Sequence, residues 1–176
     1  MSKEELDYGV IDDFLPLNTF KEIQEILLET NPKIKHHVAW HYLPTVVQGQ
    51  EKKEIDWRVF SLIHEVFANQ TIMSPVYEQI EPITKLIGIG KLTRIKINMY
   101  PNTETLKEHG MHMDYSFLHK AGIFSINTCN GYTKLEDGTK IDSVANRMLL
   151  FDGRIKHTSS TCTNQVVRVN ININYF

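Results

Sequence analysis

Two segments of this chain carry a strict two-residue alternation, and few folds can satisfy both at once. In the first, Arg94, Lys96, Asn98 and Tyr100 share one side of an extended strand while Ile95, Ile97 and Met99 share the other. The second repeats the pattern, with Arg168, Asn170, Asn172 and Asn174 against Val169, Ile171, Ile173 and Tyr175. A polar row on a strand ordinarily faces water. Helices from the first half of the chain are equally able to cover the apolar rows, which turns the polar rows toward the inside of a barrel. Buried polar groups without partners cost about 1 to 3 kcal/mol each. A polar ligand held in the barrel would supply those partners.

Between the two alternating segments lies His112-x-Asp114, followed by His157. Residues two apart on a strand point the same way, so His112 and Asp114 can reach one ion while Met113 points away. His157 supplies a third ligand from a distant strand. Two imidazoles and one carboxylate with open positions remaining form the ligand set of non-heme Fe(II) oxygenases rather than of a closed structural zinc site. Arg168 follows His157 by eleven residues, room for a turn and a return strand, and its guanidinium can hold a carboxylate through two parallel bonds.

The remaining punctuation predicts helices first and strands afterwards. Tyr8 to Phe14 reads as a lead-in strand, and Thr19 with Glu22 as a capping box for a helix carrying Phe20, Ile23, Ile26 and Leu27 on one face and stopping near Asn31-Pro32. Residues 32–53 read as a loop. Asp56 to Phe67 reads as a second helix, with Phe60, Ile63, Val66 and Phe67 at core spacing, and Ser74-Pro75 opens a third that Pro82 should kink or break. Gly88 and Gly90 mark the change to strands. Eight are expected, near 92–100, 109–114, 122–128, 132–135, 139–142, 147–151, 155–159 and 166–175, with turns at Asn130-Gly131 and Asp137-Gly138. The fold class is therefore mostly β with N-terminal helices: a double-stranded β-helix, the cupin-like jelly roll, with helices packed on one outer face.

With 176 residues and 41% hydrophobic content the chain can bury a core without staples. It is expected to form one domain over 1–176, with a helical support region over 1–90 and the jelly-roll core with the metal site over 91–176. A net charge of -2 gives no global attraction to nucleic acid or anionic membrane. The two cysteines, Cys129 and Cys162, lack zinc spacing and read as core thiols. No secretory leader or membrane-spanning run is visible, so the expectation is a soluble, intracellular, cytoplasmic protein.

The runs KINMYPNT, HGMHMD, NRMLLFDGRIKH and RVNININYF, in that order after YGVIDDFLPLNTFKEI, resemble the Fe(II)- and 2-oxoglutarate-dependent oxygenases, and within them the prolyl 4-hydroxylase-like branch. The resemblance implies His112, Asp114 and His157 as metal ligands and Arg168 as the anchor of the cosubstrate's distal carboxylate. It places Asn98, Tyr100 and Asn170 among the side chains touching 2-oxoglutarate. It further implies Fe(II), 2-oxoglutarate and O2, with ascorbate as a candidate reductant, and hydroxylation rather than halogenation because Asp114 fills the carboxylate position. A prolyl residue of a protein or peptide is the leading substrate, and oxidation of a nucleobase or small metabolite is the alternative. Base dealkylases of the superfamily share Asn-x-Tyr and Arg-x-Asn but carry a second arginine six residues later, where this chain has Asn174. From a different class, a metal-binding jelly roll without turnover remains open.

Several other residues have quieter readings. His109 falls in register with Met111 and Met113 and is assigned packing or surface, His64 and His119 the surface, and Asn172 and Asn174 the satisfaction of backbone at a strand end. His36, His37 and His41, with Lys33, Lys35, Trp40 and Tyr42, read as a loop at the entrance or on the surface rather than a second metal site.

Overall fold

A computed structural model describes residues 7–30, 38–44 and 60–176. Its element order is β1 (Tyr8–Ile11), α1 (Leu17–Leu27), β2 (His41–Leu43), β3 (Ser61–Ala68), β4 (Thr71–Ile72), α2 (Tyr77–Ile87), β5 (Leu92–Pro101), β6 (Lys120–Ser125), β7 (Tyr132–Leu135), β8 (Lys140–Asp142), β9 (Arg147–Asp152), β10 (His157–Ser159) and β11 (Val167–Tyr175). The major sheet runs β1-β9-β6-β11-β5-β3-β2, with β4 paired to β3, and the minor sheet runs β10-β7-β8. Their chain order, alternating between two facing sheets, is the expected jelly roll. Of the eight expected strands seven form; the eighth, 109–114, is held to the minor sheet by the separate bridges Glu108↔Ser160 and His112↔His157. The β7–β8 hairpin turns where predicted, on Gly138 with φ 93° and a bond from its N–H to Leu135 O of 2.9 Å.

The apolar rows decide where the helices sit. Ile95, Ile97, Val169, Ile171 and Ile173 are buried with Phe20, Ile23 and Leu27 of α1 and Ile80 and Ile83 of α2 in one core. Each such side chain contributes on the order of 1.5 to 3 kcal/mol when buried. A smaller core of Ala121, Ile123, Leu149 and Phe151 against Leu135, Ile141 and Ile155 joins the two sheets inside the roll. The interior is thus divided: one half is filled with hydrocarbon, and the other is lined by the polar rows of β5 and β11. Those two strands pair antiparallel with Arg168↔Tyr100, Asn170↔Asn98, Asn172↔Lys96 and Asn174↔Arg94, so each inward residue meets an inward partner.

Several further expectations fail, some for local reasons and one through pairing with a distant strand; the segment read as a loop over 32–53 also holds β2 within its described part. The capping box at Thr19 and Glu22 is not formed: α1 starts earlier, at Leu17, behind Pro16, and no side chain caps it. It also ends before Asn31-Pro32, where Glu29 at φ 50° allows a Thr30 N–H to Glu25 O bond across the last turn. The segment expected as a helix over Asp56 to Phe67 is strand β3 from Ser61 onward, its earlier part lying outside the described residues. Short apolar runs fit either period, and the open edge of β5 takes this one as a ladder partner. With β1, β2 and β4, it makes 1–90 a mixed support region rather than a helical one. Of the kink or break expected at Pro82, the break does not occur: α2 runs through it, giving up the bond its missing N–H would have made to Glu78. Among the described residues no helix is long and apolar enough to cross a membrane.

Candidate metal and anion site

His112 and His157 are directly opposite one another and exchange both backbone bonds, at 2.9 and 2.8 Å, which brings their rings to 4.7 Å. Nδ1 of His112 meets Gly110 O at 3.0 Å, and Nδ1 of His157 meets Ile155 O at 3.3 Å. A carbonyl can only accept, so each Nδ1 carries the proton and each Nε2 keeps its lone pair. Burial pushes His157 down to about 4 despite the opposing Asp114, so the imidazole is neutral near pH 7. Asp114 completes the group, with one ligand atom from each residue all within 4.8 Å of one another. Met111 and Met113 point outward, as the alternation requires.

The Asp114 carboxylate is held by three side chains of the polar rows. Arg94 donates to Oδ1 at 2.7 Å, while Asn172 and Asn174 donate to Oδ2 at 3.0 and 3.1 Å. Burial raises its pKa, but the charges of Arg94 and Lys96 and the Asn172 bond outweigh it and hold the group well below the usual carboxylate range. Two donors engage the lone pairs of Oδ2 and one engages Oδ1, so Oδ1 keeps the capacity to bind a cation. Two imidazoles that present Nε2 and one fixed, ionised carboxylate fit a divalent transition metal.

Arg168 lies farther along β11, 1% exposed. Its Nη1 donates to Ser160 O at 3.1 Å and its Nη2 to Thr133 Oγ1 at 3.0 Å, its Nε has no partner, and it sits 5.5 Å from the Tyr100 ring center. All of these partners are neutral, and among the described residues no carboxylate pairs with it. Gly131 makes room for it: a Cβ there would lie 2.7 Å from Arg168 Cδ and 2.6 Å from Thr161 O. Asn98 Nδ2 donates to Asn170 Oδ1 at 3.0 Å, and burial raises the Tyr100 phenol. A small cavity of about 20 Å³ joins the triad to Lys96, Asn98, Tyr100, Thr133 and Asn170. Beyond Arg94 opens a wider cleft of about 400 Å³, walled by Tyr115, Phe117 and Phe176.

No protein-family model matches the sequence, and no curated protein matches it either. Solved structures do. A Burkholderia pseudomallei oxidoreductase of the 2OG-Fe(II) oxygenase family superposes with a TM-score of 0.68 at 10% identity, over 96% of this chain and 84% of that one. The chain has the fold of the 2-oxoglutarate–Fe(II) oxygenases. A Trichoplax adhaerens prolyl hydroxylase, solved with a peptide from the hypoxia inducible factor oxygen degradation domain, gives 0.64 at 16% identity over 96% and 83%. The non-heme alpha ketoglutarate dependent epimerase SnoN of nogalamycin biosynthesis gives 0.65 at 9% identity over 97% and 78%. Within this oxygenase fold, neighbors of similar closeness thus run different reactions.

The structure brings His112, Asp114 and His157 together and places Asn98, Tyr100, Asn170 and Arg168 along the adjoining wall. Sequence reading missed the carboxylate clamp. Asn172 and Asn174 do not serve the strand backbone but Asp114, and Arg94 stands opposite Asn174; the inward alternation was the signal for all three. His109 packs on the Tyr100 ring at 4.9 Å with Nδ1 at 2.9 Å from Ser159 Oγ. His64 and His119 are buried, not on the surface: His64 bridges Ala39 O and Ser74 Oγ at 2.7 Å each, and His119 fills the space that Gly153 leaves open. Of the entrance cluster, His41 and Tyr42 are exposed on β2, Trp40 packs near His64, and Lys33, Lys35, His36 and His37 lie outside the described residues. Cys129 and Cys162 are buried and free, and burial together with Cys129 pushes the Cys162 thiol up to about 11.

Proposed function

We propose that residues 1–176 form one Fe(II)- and 2-oxoglutarate-dependent dioxygenase domain that hydroxylates an unactivated C–H, with a prolyl residue of a protein or peptide as the leading substrate. The observation that carries this reading is Arg168, a buried cation answered only by neutral groups, beside a two-histidine, one-carboxylate site. An unmatched buried guanidinium calls for an anionic ligand, and a dicarboxylate fits its two-pronged geometry. When bound, Fe(II) with 2-oxoglutarate and O2 supplies the oxidising chemistry, releasing succinate and CO2.

The chain's own residues would position and isolate that chemistry. His112, Asp114 and His157 hold the metal. Arg94, Asn172 and Asn174 fix which oxygen of Asp114 faces it. Arg168 takes the distal carboxylate against Thr133, while Tyr100, Asn98 and Asn170 line the cosubstrate's path. The hydrocarbon half of the roll keeps water from reaching the site through the sheets. Substrate enters from the aromatic cleft, where Tyr115 and Phe117 stack at 4.9 Å and Phe117 and Phe176 at 5.8 Å. A peptide such as the one bound by the Trichoplax enzyme would lie there with its prolyl ring against these faces. The same flat stack favors a second reading, a nucleobase or other planar metabolite.

Anaerobic titration with Fe(II) and then 2-oxoglutarate tests the proposal. The expected result is a visible metal-to-ligand charge-transfer band; iron bound without the band would point to a metal-binding jelly roll without this cosubstrate. Succinate release, with ascorbate present, is then compared across prolyl peptides, single-stranded nucleic acid and small metabolites. Stimulation by nucleic acid alone would remove the prolyl reading.

A further inference from the structure

The cavity beside the triad is lined by a lysine, Lys96, whose charge acts on Asp114 but which makes no hydrogen bond or ion pair to it. Lys96 sits on the inward row of β5, directly across from Asn172, whose amide binds Asp114. It therefore stands at the level of the metal ligands. Arg168, across from Tyr100, lies four residues away along the strand, roughly 13 Å at 3.3 Å per residue. That separation is one that two long side chains and a five-carbon diacid between them can fill. Arg94 is committed to Asp114, and Asn172 and Asn174 likewise. Lys96 lines this cavity, and its ammonium is acted on at longer range by the Asp114 and Glu65 carboxylates without a hydrogen bond or ion pair to a described residue. Glu65 lies opposite it on β3 and is exposed, and no ion pair joins the two.

Resting on the dioxygenase reading, we propose that Lys96 is the second anchor of the cosubstrate: it takes the carboxylate next to the oxo group, and Arg168 takes the far one. Lys96 lines the space shared with the triad and does not line the aromatic cleft, which sets it beside a ligand of the metal rather than beside a substrate side chain. Burial and the neighboring Arg94 push the Lys96 amine down to about 8, a penalty that a bound carboxylate would relieve. Two cations at two heights would also select for length, since a shorter diacid could satisfy only one of them.

The test is anaerobic calorimetric binding to the Mn(II)-loaded protein, using 2-oxoglutarate and 2-oxopentanoate, which lacks the distal carboxylate. For Lys96→Met, both ligands should weaken by about tenfold or more at Mn(II) concentrations shown by separate titration to saturate each variant. Lys96→Arg should restore most of the loss. Arg168→Met should weaken 2-oxoglutarate alone, to the level of 2-oxopentanoate. Lys96→Gln serves as a second neutral variant, and thermal unfolding shows that each protein is folded. Unchanged binding of both ligands in Lys96→Met and Lys96→Gln, or weakening of 2-oxoglutarate only, overturns the assignment. Wild-type protein that binds Mn(II) but neither ligand overturns the dioxygenase reading itself, and Lys96 with it.

Discussion

Two arginines face the inside of this roll, and their surroundings differ in kind. Arg94, with a side chain 16% exposed, is neutralized by Asp114 at 2.7 Å and lies 5.1 Å from the Tyr115 ring center. Arg168 is more deeply buried and touches only a carbonyl, a hydroxyl and the Tyr100 ring. Burying a charge costs several kcal/mol unless it is paired. An arginine whose counter-charge is in the protein serves the architecture of the site, whereas one without it marks where an external anion belongs. The contrast separates a clamp from the proposed receptor on the same pair of strands.

The largest expected effect breaks the receptor. Arg168→Met should raise the Kd for 2-oxoglutarate by about 100-fold, the loss of a two-pronged charge-assisted contact, while metal affinity and Tm stay level or Tm rises, because an unmatched buried charge has gone. Calorimetry and thermal unfolding measure the two halves, and a large drop in Tm would show that Arg168 is structural. Next comes the clamp. Arg94→Met leaves Asp114 buried with two amides, so metal affinity should fall about 10- to 100-fold and stability by about 3 kcal/mol, read from metal titration and urea unfolding. The opposite pattern, lost cosubstrate with unchanged metal, would exchange the two roles.

A subtler variant sharpens the comparison without touching either charge. Gly131→Ala adds one carbon 2.7 Å from Arg168 Cδ and against a carbonyl that cannot give way, so the guanidinium must shift. The expected result is about tenfold weaker 2-oxoglutarate binding with metal binding unchanged. The smallest effect is a pH dependence at the receptor end. His109 is held down to about 4, by burial first and by Arg168 second. Its folded pKa lies below the unfolded value of about 6.5, so the unfolded chain binds more protons between those values. His109 thus contributes stability above pH 6.5 that is lost as pH falls toward 4. His109→Gln should flatten the fall of Tm over that window by a few degrees, and an unchanged slope would show that His109 is not held down in the folded chain.

The legible parts of this molecule were those governed by a single periodicity. The rows on β5 and β11 specify both a covered outer face and a polar interior, and the spacing of His112-x-Asp114 alone sets both side chains on one face. Less legible was whatever depended on which strand lay beside which. Ser61–Ala68 has helical spacing, and only the free edge of β5 makes it a strand. Asn172 and Asn174 looked like strand-end residues because nothing local tells an amide that a carboxylate from position 114 will arrive beside it. His64 and His119 read as surface residues, since the cavity each fills is made by segments remote in sequence.

The backbone exchange between His112 and His157 has a further consequence for folding. Because the two residues are direct partners, the imidazoles converge in one alignment of the strands only. A slip of one position would set Met111 or Met113 against His157 and turn Asp114 outward. Capture of an ion by both rings would then act as proofreading of strand registry: the misaligned chain forms no chelate and gains nothing from the metal, while the correct alignment is locked at the moment the site is completed.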